Sequence, residues 1–226
     1  METREIFEQN PVFACLTVHE RNELLQQAIL RRYKKGEYLT HAGDNWPFLF
    51  YLSAGSITAV KDSIEGRSLV TISFNPGEIF WGLSFFHPEI PMPVALRVDR
   101  ASTVYLWSRE QMLPLLMANG QISFELCRLM VNRMLQASHI VEELAFQPVG
   151  GRLARLLMEY PGQQVDGPIA RSLTLDDMAA RIGSTREMVC RFLQRFADQG
   201  LIKITRTEFE ITNRECLLEM AQKGRS

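Results

Sequence analysis

Apolar positions change their period along this chain. Between residues 37 and 107 they fall in short β-rich runs, at 37–40, 48–52, 56–62, 68–74, 78–81, 94–98 and 102–107. Turn-forming residues separate the runs at Ala42-Gly43-Asp44, Ala54-Gly55, Ile64-Glu65-Gly66-Arg67 and Asn75-Pro76-Gly77, a spacing that predicts a sandwich or barrel. Ahead of them, residues 10–30 read as one or two short helices, with Thr17 and Glu20 as a capping box. Ser108-Arg-Glu-Gln111 is a second capping box, and Asn119-Gly120 a break before a long helix over 121–146. On that helix Cys127, Met130, Met134, Ala137, Val141 and Leu144 alternate steps of three and four, the seam of a two-stranded coiled coil. Leu126, Leu129 and Ile140 give a second apolar face. Two apolar faces on one helix call for two partners, the strand domain and a second copy of the chain.

Beyond Gln147-Pro148-Val149-Gly150-Gly151, which reads as a hinge, the pattern becomes a series of short helices. Thr174 and Asp177 open a helix whose apolar positions are Leu175, Met178, Ala179 and Ile182, and Gly183 ends it. Ser184 or Thr185 caps a second helix with Met188, Val189, Phe192 and Leu193 as its buried stripe. Arg186, Glu187 and Arg191 lie off that stripe, and Arg186 and Glu187 are near the N-terminal end, where a recognition helix meets base edges. Residues 201–204 and 209–211 then alternate like a small hairpin wing, with Arg206 and Thr207 near its tip.

Charge supports the same reading through its distribution. The 226 residues carry a net charge of −1, which excludes a bulk polycation. From Val149 onward, however, 12 Lys and Arg face 10 Asp and Glu, and between Arg181 and Arg206 six basic residues face two acidic ones, a local +4 suited to phosphates. The N-terminal stretch has no signal-peptide pattern and no apolar run is long enough to span a bilayer, so the expected location is cytoplasmic with no membrane partner. Cys15, Cys127, Cys190 and Cys216 are scattered, with no CxxC pair and no histidine at metal-ligand spacing, which argues against structural disulfides and against a metal site. No Gly-x-Ser-x-Gly, P-loop or His-Glu-x-x-His motif is present, and the chain is not expected to be an enzyme.

The helix pair, with Thr185-Arg186-Glu187 followed by Arg191, resembles the DNA-binding domain of the CRP/FNR superfamily of bacterial transcription regulators. Lys35-Gly36-Glu37, the run Phe50-Tyr-Leu-x-x-Gly-Ser56 and Pro76-Gly77-Glu78 resemble that superfamily's cyclic-nucleotide-binding β-roll. The resemblance implies an α+β chain: a sensor β-roll over residues 1–107, helices over 108–147 including the dimerisation helix, and a winged helix-turn-helix over 148–226. It implies a homodimer on a pseudo-palindromic, TGTGA-like site in double-stranded DNA, with RNA polymerase as a further partner. Arg186, Glu187 and Arg191 would read bases, and Ser184, Thr185 and Arg206 would hold the backbone.

The ligand of the roll is a separate matter. Cyclic-AMP-binding members hold the ribose with a Gly-Glu-Leu turn and the phosphate with an Arg-Ser pair. Here Trp81 and Gly82 stand for the Gly and Glu, and Met92-Pro93 replaces the Arg-Ser, so cyclic AMP is rejected. The Trp81-Gly82-Leu83-Ser84 turn is nearer to the nitrogen-control branch, whose turn lends amides to 2-oxoglutarate, with Arg133 as a source of positive charge. Core filling by Phe80, Trp81, Phe85 and Phe86, and an exposed Arg133, describe the same residues equally well. An iron-sulfur cluster lacks its cysteines. A haem-based or redox sensor through His41, His87 or His139 stays an alternative, as does a ligand-binding module without DNA activity.

Overall fold

The computed structural model describes residues 7–160, 167–205 and 207–222. Among them, one compact unit is built from residues up to Lys61 with Thr71–Gln136, and a second from Asp62–Val70 with the residues from Ala137 onward. No described helix is long and apolar enough to cross a membrane.

The first unit begins with helices α1 (Pro11–Ala14) and α2 (Val18–Gln27). Thr17 and Glu20 form the capping box, each side chain bonding the other's backbone. Helix α2 stops at Ala28, whose backbone is extended, and Ile29 and Leu30 open strand β1 (Ile29–Tyr33) rather than continuing the helix. They pair with Leu106 and Tyr105. The tertiary ladder overrides a helical pattern that ran on to residue 30.

Strands β2 (Tyr38–Thr40), β3 (Phe48–Asp62), β4 (Ser68–Phe74), β5 (Ile79–Trp81) and β6 (Ala95–Ser108) complete the sheet, in the order β1-β6-β3-β4, with β2 on β6 and β5 on β3. The two central strands differ from the reading of four shorter ones. Ala54-Gly55 is not a turn; β3 runs through it, antiparallel to β6 from Phe48↔Ser108 to Val60↔Ala95, with register shifts around residues 52–57. Gly55 absorbs the irregularity at φ +100°, and a Cβ there would lie 2.2 Å from the Ser102 hydroxyl. Only glycine satisfies both conditions.

One face of the roll packs Leu49, Tyr51, Trp81, Phe85 and Trp107 against Phe13, Met112, Ile122 and Leu126 of the helices. The other encloses Trp46, Phe50, Ile57, Phe74, Met92, Leu96 and Val104. Helix α3 (Leu83–Phe86) follows β5 at once. Helix α4 (Arg109–Ala118) starts at the Ser108–Gln111 capping box, and α5 (Gly120–Phe146) follows after Asn119, whose carboxamide oxygen accepts from the amides of Gln121 and Ile122.

The second unit holds α6 (Val149–Met158), β7 (Ile169–Ala170), α7 (Leu175–Ile182), α8 (Arg186–Asp198), β8 (Ile202–Ile204), β9 (Glu208–Ile211) and α9 (Arg214–Gln222). Its sheet has the order β7-β9-β8, so the expected hairpin wing carries a third strand. The core joins Leu153, Leu157, Met178, Val189, Leu193, Phe196, Phe209 and Leu217. Each such side chain contributes about 1.5–3 kcal/mol on burial, which fixes how every helix is turned.

Candidate nucleic-acid interface

Local chemistry sets the two helices of the reader. Thr174 accepts from the amide of Asp177 at 3.1 Å while the Asp177 carboxylate takes the Thr174 amide, so α7 begins with a reciprocal cap. Gly183 ends it in the left-handed conformation, φ +60° and ψ +49°. Two residues later the Thr185 hydroxyl accepts from the Met188 amide and starts α8. The turn is short because one residue supplies the reversal and the next helix is capped immediately.

On α8, Val189, Leu193 and Phe196 are buried, which leaves Arg186, Glu187, Cys190, Arg191, Gln194 and Arg195 exposed along the opposite side. The three expected base readers are therefore brought together on one free face. Ser184 and Thr185 are partly buried at its N-terminal end, with the Ser184 amide given to the Ala179 carbonyl. Arg206, expected to hold the DNA backbone, lies outside the described residues. The Glu187 carboxyl sits below the usual range because its own backbone amide and the Thr185 hydroxyl hydrogen-bond to it. Arg186 is engaged across the turn: its Nη1 donates to Asp176 of α7 at 2.9 Å.

Side-chain bonds from α6 surround the segment read as a hinge, within the second unit. Arg152 on α6 donates from Nε to the Ile182 carbonyl at 2.7 Å, and from Nη1 to the carbonyls of Glu143 and Gln147. Arg155 pairs with the Glu143 carboxylate and the Gln147 side-chain oxygen. Burial lowers the pKa of Arg152, yet a guanidinium stays protonated at any ordinary pH. Leu144 lies over the reader's turn, its Cδ2 only 2.5 Å from where a Cβ on Gly183 would stand. The last turns of α5 are thus fastened to α6 and to the α7–α8 turn by three carbonyl bonds, an ion pair and a close apolar contact.

The exposed apolar side of α5 differs in part from the expected seam. Met130 is partly buried against the core of its own unit, together with Leu129, and Leu126 is fully buried. Cys127, Met134, Ala137 and Val141 are exposed, and so are Phe124, Val131, Leu135 and Phe146. Phe124, Cys127, Val131, Met134 and Val141 belong to one heptad series, in which Val131 takes the place given to Met130 and Ser138 the place given to Ala137. Both series alternate three and four, and the pattern of residue types alone does not separate them.

In the roll, the Trp81–Ser84 turn is core. Trp81 and Ser84 are buried, the Gly82 amide donates to the Phe48 carbonyl at 2.9 Å, and Leu83 is partly buried. A Cβ on Gly82 would lie 1.8 Å from the Trp46 carbonyl oxygen, so no side chain fits there. The Ser84 hydroxyl has no hydrogen-bond partner among the described residues. Met92, in the phosphate-binding position of the resemblance, is 2% exposed within the apolar interior. Position 82 therefore cannot carry a carboxylate and Met92 carries no charge, so these two positions do not supply the pair of groups that the resemblance implies for cyclic AMP.

Arg133 is not the exposed charge that helical position alone allows. Its side chain is 11% exposed, ion-paired with Glu78 at 3.3 Å, and placed over the Phe74 ring at 5.2 Å. It lines a 190 Å³ cavity with Asn10, Glu78, Arg128 and Asn132, which none of Trp81, Gly82, Leu83 or Ser84 reaches. The turn and Arg133 therefore do not share this cavity.

Comparison with known proteins agrees with both halves. Residues 30–119 match the family model of the cyclic nucleotide-binding domain, and residues 151–220 that of the Crp-like helix-turn-helix domain. The chain is 28% identical over 195 residues to the cAMP-activated global transcriptional regulator Vfr of Pseudomonas aeruginosa, covering 81% of this chain and 89% of that protein. It is 24% identical to the cyclic AMP receptor protein of Thermus thermophilus, covering 94% and 97%. A solved crp/fnr-family regulator from Eubacterium rectale superimposes with a TM-score of 0.80 at 19% identity, covering 94% of this chain and 98% of that one. With a nucleotide-binding-type sensor sheet, a long connecting helix and a Crp-like reader in one chain, this protein belongs to the CRP/FNR superfamily of DNA-binding transcription regulators.

Proposed function

We propose that the protein acts as a homodimer on a pseudo-palindromic site with TGTGA-like half-sites, under control of a small effector other than cyclic AMP. The observation that carries the DNA reading is the single exposed face of α8 on which Arg186, Glu187 and Arg191 stand together. Arg186 and Arg191 each offer a guanidinium fork to guanine O6 and N7, and Glu187 accepts from a cytosine amine. Ser184, Thr185 and Arg206 hold phosphates and set the register. A second copy packs on the exposed heptad of α5, and the two-fold places the paired recognition helices about 34 Å apart on one face of the duplex.

Control runs through the same helix. The Arg152 and Arg155 bonds fasten the end of α5 to the reader, so a change in how two α5 helices cross moves the readers with them. Vfr and the Thermus protein are named for cyclic AMP; this chain has Gly82 and Met92 where that ligand needs a carboxylate and a cation. Enrichment from a randomised duplex pool, followed by titration of the winner at fixed salt, tests the reading. The expected winner is a pseudo-palindrome whose preferred base pairs lose their advantage in Arg186→Ala. An Arg186→Ala protein as selective as the wild type would overturn the base-reading assignment.

A further inference from the structure

Arg186 occupies an unusual place for a cation. It is the first residue of α8, at the helix end that carries partial positive charge, where an arginine gains nothing from the helix dipole and loses a little. Its neighbour across the turn explains how the position is sustained. Asp176, the second residue of α7, has no part in capping that helix, because Asp177 and Thr174 do the capping between themselves. The Asp176 carboxylate instead meets Nη1 of Arg186 at 2.9 Å, with both side chains more than half exposed.

The bond uses one donor of five. A guanidinium presents N–H groups on Nε, Nη1 and Nη2, and reading guanine needs two of them side by side. With Nη1 held by the first helix, the edge formed by Nε and Nη2 is left for the base. An unrestrained arginine would sample many rotamers and would reach a phosphate as readily as a base; one held on Nη1 is pre-set, and less of its freedom is lost on docking. The carboxylate also opposes close approach of phosphates, so it disfavours the sequence-independent contacts that the arginine would otherwise make.

We propose that Asp176 is a positioning residue for base recognition: it holds Arg186 from the first helix so that the free edge of the guanidinium faces guanine. The proposal rests on Arg186 reading a base, and the two claims separate experimentally. The base pair read by Arg186 is first defined as the one whose preference disappears in Arg186→Ala, using duplexes enriched by the wild-type protein. Asp176→Asn is then titrated against the preferred duplex, a duplex changed at that base pair, and an unrelated duplex, at several salt concentrations.

The expected result is a three- to tenfold loss of discrimination at that base pair, with binding to the unrelated duplex unchanged or tighter and the other base pairs still distinguished. Asp176→Glu should recover part of the discrimination, and Asp176→Asn should add nothing in an Arg186→Ala background. Discrimination retained by Asp176→Asn, or a loss spread evenly over all three duplexes, would overturn the positioning role while leaving Arg186 as a reader. An Arg186→Ala protein with unchanged preferences would instead remove the reading on which the proposal stands. An exposed ion pair contributes little to folding, and a carboxylate in the first turn of a helix adds at most about 1 kcal/mol, so Asp176→Asn should lower the melting temperature only slightly, and a loss of discrimination confined to one base pair marks the effect as one of recognition.

Discussion

The carbonyl oxygen of Trp46 occupies the space that any side chain at residue 82 would need: a Cβ on Gly82 would stand 1.8 Å from it. Position 82, where the resemblance implies the ribose-binding carboxylate of the cyclic-AMP branch, is closed here by backbone, which moves less readily than a side chain. Gly82→Glu is therefore expected to damage the roll without creating a nucleotide site. Overpacking of this kind costs about 1–3 kcal/mol or more, and thermal unfolding should show a clear drop in melting temperature. Millimolar cyclic AMP should not raise the melting temperature of the wild type, whereas a ligand that binds the folded state must do so. A concentration-dependent rise would contradict the steric argument.

The exposed side of α5 makes a second prediction, on register. Val131 is 50% exposed and Met130 is partly buried in the core of its own unit. Val131→Glu should leave each subunit folded and shift the protein toward monomer in sedimentation experiments, by tenfold or more in dissociation constant, because it places two like charges in the seam. Met130→Glu should instead lower the melting temperature, by burying a charge beside Leu129. The reverse pair of outcomes would restore the seam through Met130.

These residues show where sequence and structure part company. Caps and breaks depend on a few adjacent residues, so Thr17, Ser108, Thr174 and Gly183 were legible at sight and stand where expected. The exposed face of α8 was legible for the same reason, since a buried stripe of Val189 and Leu193 dictates which side faces outward. Strand ends were less so, because the length of β3 depends on a partner, β6, that is remote in sequence and on a glycine that lets the ladder continue through a bulge. The seam expected on α5 was ambiguous because Met130 and Val131 are both apolar, and the packing of Leu126 and Leu129 shows only which side of the helix its own unit covers. The ion pair of Asp176 with Arg186 left no signal at all, since residues ten apart on different helices obey no spacing rule.

Arg152 carries a third prediction. It donates to three carbonyls, those of Glu143, Gln147 and Ile182, from a half-buried position. Arg152→Ala would leave these acceptors to share what remains, and charged hydrogen bonds of this kind are worth about 1.5–3 kcal/mol each before relaxation. A net loss of about 2–4 kcal/mol in stability is expected, with faster amide exchange in the last turns of α5 and at the end of α7. Arg152→Lys should recover little, because a single ammonium has no planar fork to span three carbonyls. Full stability of the lysine variant would show that charge alone, without the fork, suffices at this junction.

The carboxyl of Glu187 makes a prediction about pH. Hydrogen bonds from its own backbone amide and from the Thr185 hydroxyl lower its pKa from the ordinary 4.5. The folded state thus favours the ionised form, so the contribution to stability is present above pH 4.5 and is lost as pH falls through the lowered value. It follows that Glu187 is an ionised acceptor throughout the range from about pH 5.5 to 8. The preference for a cytosine amine proposed for it, measured as the ratio of affinities for duplexes with and without that cytosine, should be flat across that range at constant salt. Glu187→Gln should weaken the ratio by the same factor at every pH, since the neutral amide is a poorer acceptor and does not titrate. A wild-type ratio with an inflection above pH 5 that the glutamine variant lacks would mean that the carboxyl is protonated when it meets DNA, and would remove it from the base-reading set.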